Sequence, residues 1–274
     1  SSTTTWTIPD DSSNSNDGTS SGMTQSALQQ SDLSFKTSYS PYALLLDGTD
    51  DYIDCGSTSL SSNSGTVAAW IKSTNTSSFQ MIIGKTTGGG GNDQFMLRTE
   101  TNGKVRLFLY HNSTYTLLDS TDTVLDGNWH HVAFTYNSSG INIYIDGFVS
   151  GINTTSITTI SASTENLLIG ARKTAAPEKF FDGSISNVSI WNTALTSAQV
   201  TEIYSEGIPQ NLNNHSAYSN LVSWWQLGSN SSFSTNWTVL DEKGSNNGTS
   251  VNMTEGDIVD GVNTYGGGTS SGMG

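Results

Sequence analysis

Two runs decide the fold class: Asp126-Gly127-Asn128-Trp129-His130-His131-Val132-Ala133-Phe134-Thr135-Tyr136 and Ile141-Asn142-Ile143-Tyr144-Ile145-Asp146-Gly147, separated by Asn137-Ser138-Ser139-Gly140. Both alternate with period two and are rich in β-branched and aromatic residues, so each reads as a strand. The Ser/Gly linker reads as a hairpin loop, and Asp146-Gly147 turns the chain again. Val132, Phe134, Ile143 and Ile145 fall on one face and are expected in the core.

The same grammar extends in both directions. Tyr42–Leu46, Tyr52–Cys55, Thr66–Ile71, Met81–Ile83, Gln94–Leu97, Leu167–Gly170 and Ile185–Trp191 all read as strands between turn residues. Lys104-Val105-Arg106-Leu107-Phe108-Leu109-Tyr110 alternates strictly, with Val105, Leu107 and Leu109 on the inner face. One helix is expected, with Thr196 as N-cap, Gln199 completing a capping box, Leu195 and Val200 as a hydrophobic staple, and Gly207 as the stop. The fold class is therefore all-β: an antiparallel β-sandwich jelly roll with one short accessory helix and extended N- and C-terminal arms. The expected organisation is an arm over 1–40, the jelly roll over 41–209, and a C-terminal segment over 210–274.

Composition narrows the function. The 274 residues include 44 Ser, 36 Thr, 28 Gly and 24 Asn, while charged residues make up only 12%. A net charge of −14 with ten Lys plus Arg excludes a binder of nucleic-acid backbone. No apolar run approaches 18 residues, so membrane insertion through a helix is not expected. A single cysteine, Cys55, rules out an internal disulfide framework. Such a surface suits an extracellular or virion-surface location. The chain opens on Ser1 without a secretory leader, so a processed product or a piece of a longer chain is expected.

The quoted strands resemble the laminin G-like, or concanavalin A-like, jelly-roll family. The motifs that carry the resemblance are Leu46-Asp47-Gly48-Thr49-Asp50-Asp51-Tyr52-Ile53, Val67–Ile71, Asp126–Ala133, Ile143–Gly147 and Phe181–Asn192 with the capped helix after it. The resemblance covers about residues 43–209 and extends to bacteriophage structural proteins that carry such jelly rolls. It implies a sandwich fold, frequent calcium near a rim, and core positions for Trp70, Trp129 and Trp191. The carboxylate strand Glu-x-Asp-x-x-Glu of glycosidases on this fold is missing, so no enzyme is expected.

Three sets of candidate residues follow. Asp47, Asp50, Asp51 and Asp54 crowd one turn and offer the hard oxygen ligands that calcium takes; calcium is the one cofactor considered. Asn92, Asp93, Tyr110, Asn112 and Tyr115 combine aromatic faces with amide and carboxylate groups, as a glycan site requires. The third set lies at the ends. Trp6-Thr7-Ile8-Pro9-Asp10 through Gly18-Thr19-Ser20-Ser21-Gly22-Met23-Thr24 aligns, with one deleted residue, to Trp237-Thr238-Val239-Leu240-Asp241 through Gly248-Thr249-Ser250-Val251-Asn252-Met253-Thr254. The C-terminal copy either closes its own sandwich or pairs with a neighbouring subunit. Trp6, Ile8, Met23, Trp224, Trp225, Trp237, Val239 and Met253 are the candidate assembly residues. The expected function is a non-enzymatic structural subunit that assembles with other copies of itself into a fibre or virion surface. The alternative is a monomeric lectin-like adhesion module for cell-surface or extracellular glycans.

Overall fold

A computed structural model describes residues 7–8, 16–19, 21, 39–87 and 92–262. The chain divides into two units, Ser1–Lys36 and Thr37–Gly274. In the first, β1 (Thr7–Ile8) pairs antiparallel with β2 (Gly18–Thr19). The second runs through β3 (Tyr42–Asp47), β4 (Tyr52–Asp54), β5 (Gly65–Lys72), β6 (Gln80–Lys85), β7 (Phe95–Thr99), β8 (Lys104–His111) and β9 (Thr114–Thr123). It continues through β10 (His130–Asn137), β11 (Gly140–Ile145), β12 (Phe148–Asn153), β13 (Leu168–Ile169), β14 (Asp182–Trp191) and helix α1 (Ser197–Tyr204). Then come β15 (Leu221–Trp225), β16 (Ser232–Phe233), β17 (Trp237–Val239), β18 (Gly248–Val251) and β19 (Ile258–Asp260).

These strands form two antiparallel sheets. One has the order β12-β11-β10-β5-β14-β3-β19, with β15 also on β14; the other has the order β16-β17-β18-β4-β13-β6-β7-β8-β9. The fold is the expected β-sandwich. Val67, Ala69, Ile71, Val132, Phe134, Ile143, Ile145, Ile169, Ile185 and Val188 are all buried between the sheets. Of the strands that the hydrophobic pattern does not mark, β9 and β12 are the longest. Both are edge strands with exposed or polar residues at most positions, so neither shows alternation.

The accessory helix packs on the side of the sandwich. It covers the outer face of the eight-stranded sheet, where Val200, Ile203 and Leu195 pack with Ala68, Ala133, Tyr144, Trp191 and Trp224. Strand β5 is therefore buried on both faces over Gly65–Ile71. The capping box forms as read: the Gln199 amide donates to Thr196 Oγ1 at 3.3 Å, and the Thr196 amide donates to Gln199 Oε1 at 3.0 Å. The helix stops two residues before Gly207, because Ser205 takes the left-handed cap with φ 43°.

The C-terminal segment is part of the sandwich. β15 and β19 join the eight-stranded sheet, and β18 joins β4 in the other. This corrects the assembly role given to Trp224, Trp225, Trp237, Val239 and Met253. All five are buried in their own unit, Trp224 on the helix-covered face and the other four between the sheets. Trp224 and Trp225 do point to opposite faces, but both faces are covered. Trp6 and Met23 lie outside the described residues, as does the side chain of Ile8.

Trp129 is also corrected: it is half-buried, just before β10, and fills no core site. Trp225 is the large side chain that does, and its Nε1 donates to the Asn246 carbonyl at 2.8 Å. Trp225→Ala is expected to cost about 3–5 kcal/mol of stability in urea unfolding, the usual range for a buried Trp. Trp129→Ala should cost clearly less.

His131 adds a pH dependence. It is fully buried against Trp70 and Tyr204, at ring distances of 5.3 and 6.2 Å, and neither ring nitrogen has a hydrogen-bond partner among the described residues. Burial pushes its pKa down to about 4 against the nearby Asp146 charge, which acts the other way. Between pH 6.5 and about 4 the unfolded chain takes up a proton at this site that the folded chain refuses. Stability from this residue is therefore present above pH 6.5 and lost as pH falls, by about 3 kcal/mol in all. His130 and Asp51, whose pKa values are raised, contribute with the opposite sign. The clean measurement is the difference between the wild type and His131→Phe, which should lose this slope.

Candidate functional site

The outer face of the nine-stranded sheet carries the candidate glycan residues. Tyr110 on β8 and Tyr115 on β9 are register partners, and their ring centroids lie 4.8 Å apart. The turn between them is tight because Asn112 and Ser113 both take left-handed conformations, at φ 48° and 60°. Phe108 meets the Tyr115 ring edge-on at 6.0 Å. Both tyrosines are half-buried and Asn112 is exposed at the hairpin tip.

Asp93 and Asn92 have a supporting part. Asp93 is fully buried and accepts hydrogen bonds from Thr86 Oγ1 at 2.8 Å, from the Thr87 amide and hydroxyl, and from the Tyr115 hydroxyl. Burial raises its pKa, but the bonds from Tyr115, Thr87 and Thr86 outweigh that and hold it below its ordinary value. It anchors the Tyr115 ring and presents no atom to a ligand. Asn92 spends its amide on the neighbouring loop, donating to Thr164 Oγ1 at 3.0 Å and Glu165 Oε1 at 2.9 Å and accepting from the Thr164 amide at 3.0 Å. Of the five residues, Tyr110, Tyr115 and Asn112 remain to meet a ligand.

The same face holds residues that the sequence reading passed over. The Arg98 guanidinium lies 3.9 Å from the Phe79 ring centre and 4.4 Å from that of Phe108. Arg106 grips Asp119 with two bonds, and Glu100 accepts from Arg98 at 2.7 Å. Arg172 and Lys179 also lie over the Phe79 ring, at 5.6 and 4.6 Å from its centre. A shallow depression lined by Arg106, Leu117, Leu118 and Asp119 adjoins them, and Leu117 is 47% exposed. A signal for this set was present in the strict alternation of β8. The period that sends Val105, Leu107 and Leu109 inward sends Arg106, Phe108 and Tyr110 outward.

The acidic turn lies elsewhere, between β3 and β4. Asp47, Asp50 and Asp51 bring carboxylate oxygens within 4.8 Å of one another. Asp54 does not join them: its carboxylate accepts from the Gly56 amide at 2.9 Å and from Asn166 Nδ2 at 2.9 and 3.0 Å. The turn is tight because Gly48 takes φ 73°, and a Cβ there would lie 2.6 Å from that of Asp182. Asp47 Oδ1 accepts from the Thr49 amide at 2.8 Å. Burial raises the Asp51 pKa to about 6, with the Asp47, Asp257 and Asp50 charges adding to it and the Asp47 backbone hydrogen bond opposing.

Sheet order, the helix-backed face and the acidic turn together define a lectin-type jelly roll. The family model described as the concanavalin A-like lectin/glucanases superfamily, of laminin G type, matches residues 47–201, more than half of the chain, and the chain belongs to that family. A rat protein, sushi, von Willebrand factor type A, EGF and pentraxin domain-containing protein 1, is 30% identical over 167 residues. That match covers 58% of this chain and 4% of the rat protein. Adhesion G-protein coupled receptor V1 of zebrafish is 25% identical over 56% of this chain and 2% of its own length. The chain thus spans a small fraction of these relatives. Among solved structures, a Bacteroides ovatus protein described as carbohydrate binding has a TM-score of 0.62 at 19% identity, covering 80% of this chain and 60% of that one. A heptameric SAP-like pentraxin of Limulus polyphemus has a TM-score of 0.53 at 16% identity, covering 82% and 96%. At these identities the likeness establishes the fold.

Asp93 gives a direct test of the geometry. Asp93→Ala removes the acceptor that Thr86, Thr87 and Tyr115 share, at an expected cost of about 2–3 kcal/mol in urea unfolding. Asp93→Asn, which keeps an acceptor, should cost less.

Proposed function

We propose that the chain is a non-catalytic, lectin-like module that binds carbohydrate on the outer face of its nine-stranded sheet, displayed extracellularly or on a virion surface. The observation that carries this reading is the Tyr110–Tyr115 ring pair, continued by Phe108 and by Arg98 clasped between two rings. Sugars present apolar C–H faces that stack on aromatic rings, and their hydroxyls take hydrogen bonds from guanidinium and amide groups. Family membership and the carbohydrate-binding description of the Bacteroides neighbour support it. The non-catalytic part rests on the missing glycosidase carboxylate strand.

The reading is tested on a glycan array. Full chain should retain one or more saccharides, and Tyr110→Ala with Tyr115→Ala should weaken that binding at least about tenfold, the loss of about 1.4 kcal/mol of stacking. Binding unchanged in the double variant would place the site elsewhere.

Calcium on the Asp47–Asp51 turn belongs to the same proposal. Oxygens 4.8 Å apart can flank one ion at the about 2.4 Å distance calcium prefers. An ion would also offset the burial, and the lesser repulsion from Asp47, Asp257 and Asp50, that raise the Asp51 pKa. Millimolar calcium is expected to raise Tm, and Asp50→Asn with Asp51→Asn should abolish the response. The response should also fade below about pH 6, where Asp51 takes up a proton. A Tm indifferent to both calcium and chelator would leave the aspartates as turn residues only.

A further inference from the structure

The two aligned ends share a structure as well as a sequence. In the C-terminal hairpin Thr238 pairs with Thr249 and Val239 with Gly248. In the N-terminal one Thr7 pairs with Thr19 and Ile8 with Gly18. Each position maps onto its counterpart, and the one deleted residue falls in the loop between the strands.

The C-terminal hairpin has a demanding seat. Thr249, Ser250 and Val251 pair with Asp54, Ile53 and Tyr52, so β18 continues the sheet from β4. Trp237, Val239 and Met253 enter the core. Gly248 lies so close to β4 that a Cβ there would come within 2.6 Å of Ile53 Cγ2. Ser250 Oγ accepts from the Trp237 amide at 2.8 Å. Asp241 ties the turn to β15, accepting from the amides of Trp224 at 3.0 Å, Gly244 at 2.9 Å and Asn246 at 3.2 Å. The N-terminal copy supplies Trp6, Ile8, Met23, Gly18, Ser20 and Asp10 at these six positions. It departs at exposed Leu240 and Asn252 and half-buried Val251, where it has Pro9, Gly22 and Ser21, and in the longer loop, where Ser13 or Asn14 stands opposite the closely packed Gly244. A duplicate that keeps the glycine, the cap and all three apolar anchors keeps the residues the seat selects.

We infer that the edge of β4 is a shared seat: the N-terminal hairpin of a second copy takes it when the resident β17–β18 hairpin leaves. The resident is covalently attached and has the higher effective concentration, so it holds the seat by default. Each copy has one donor hairpin and one seat, so exchange links copies head to tail and yields open chains or rings. The inference is independent of the glycan reading, because the seat and the tyrosine face use different residues.

The test weakens the resident in the full chain. Trp237→Ala, followed by size-exclusion chromatography with light scattering, is expected to raise the oligomeric fraction about tenfold over wild type. Ile8→Asp, or removal of residues 1–24, in the same background should return it to monomer. Should Trp237→Ala fail to fold by circular dichroism, Val239→Ala is the milder variant and carries the same expectations. A folded monomer from the weakened chain overturns the inference, and so do oligomers that persist without the N-terminal hairpin, since these would be ordinary aggregates. A monomer whose Tm drops on removal of residues 1–24 also overturns it, because the seat would then be filled from within the same chain.

Discussion

The structure depends on how one strand, β14, divides its edge. Along one side β14 runs beside β5; along the other it pairs first with β3 through Asp182–Ile185 and then with β15 through Val188–Trp191. The division falls at the irregularity between Ser186 and Ser189, where Asn187 adopts φ 48°. Ser186 Oγ reaches the carbonyls of Tyr42 and Gln226, tying the ends of both guest strands to the break. Strands from opposite ends of the second unit thus meet on one edge, and β15 is placed to deliver the chain to β17, β18 and the rim beside β4.

That junction explains how a chain with few charged groups and 34% apolar residues supports two cores. Between the sheets the packing is aliphatic and aromatic. On the far side of the eight-stranded sheet, α1 and the turns after it cover small residues, Ala68 and Ala133, between large ones, Trp191 and Trp224. Burial of both faces turns β5 and most of β14 into rigid centre strands. On the nine-stranded sheet, β7–β9 carry half-buried aromatic and guanidinium groups on the outer face. Because the helix covers the eight-stranded sheet, the carbohydrate site is proposed on the nine-stranded one.

Much of the fold was readable in the residues. Alternation in β8, β10 and β11 located core positions correctly, and Thr196 with Gln199 marked the helix start. Edge strands β9 and β12 were hidden, because most of their positions are exposed or polar and their buried side chains, Thr116, Ser120 and Ser150, are themselves polar. Trp129 misled for the same reason in reverse: a large aromatic beside a strand was counted as core although the chain places it at a half-covered turn. In the candidate site, Tyr110, Tyr115 and Asn112 were recognised as residue types, but Asp93 and Asn92 turned out to support the loops around them. Arg98 and Phe79 went unnoticed, since neither is near the tyrosines in sequence.

The amino-acid sequence by itself determined the all-β class, the capped helix, the inward set of residues, the crowded aspartate turn and the repetition of one hairpin at the two ends. Those features are local: they depend on side-chain period, turn chemistry and spacing. Only the tertiary structure decided that the C-terminal hairpin closes its own sandwich, that both Trp224 and Trp225 are covered, and that Asp54 stands apart from Asp47, Asp50 and Asp51. Each of these turns on contacts between separate parts of the chain: β18 meets β4 and Asn166 meets Asp54 across more than a hundred residues, and β15 meets β14 across 30 or more. Backbone hydrogen bonds at a sheet edge are the same for every sequence, so the choice of partner comes from the side chains that must be buried together once the sheets have stacked.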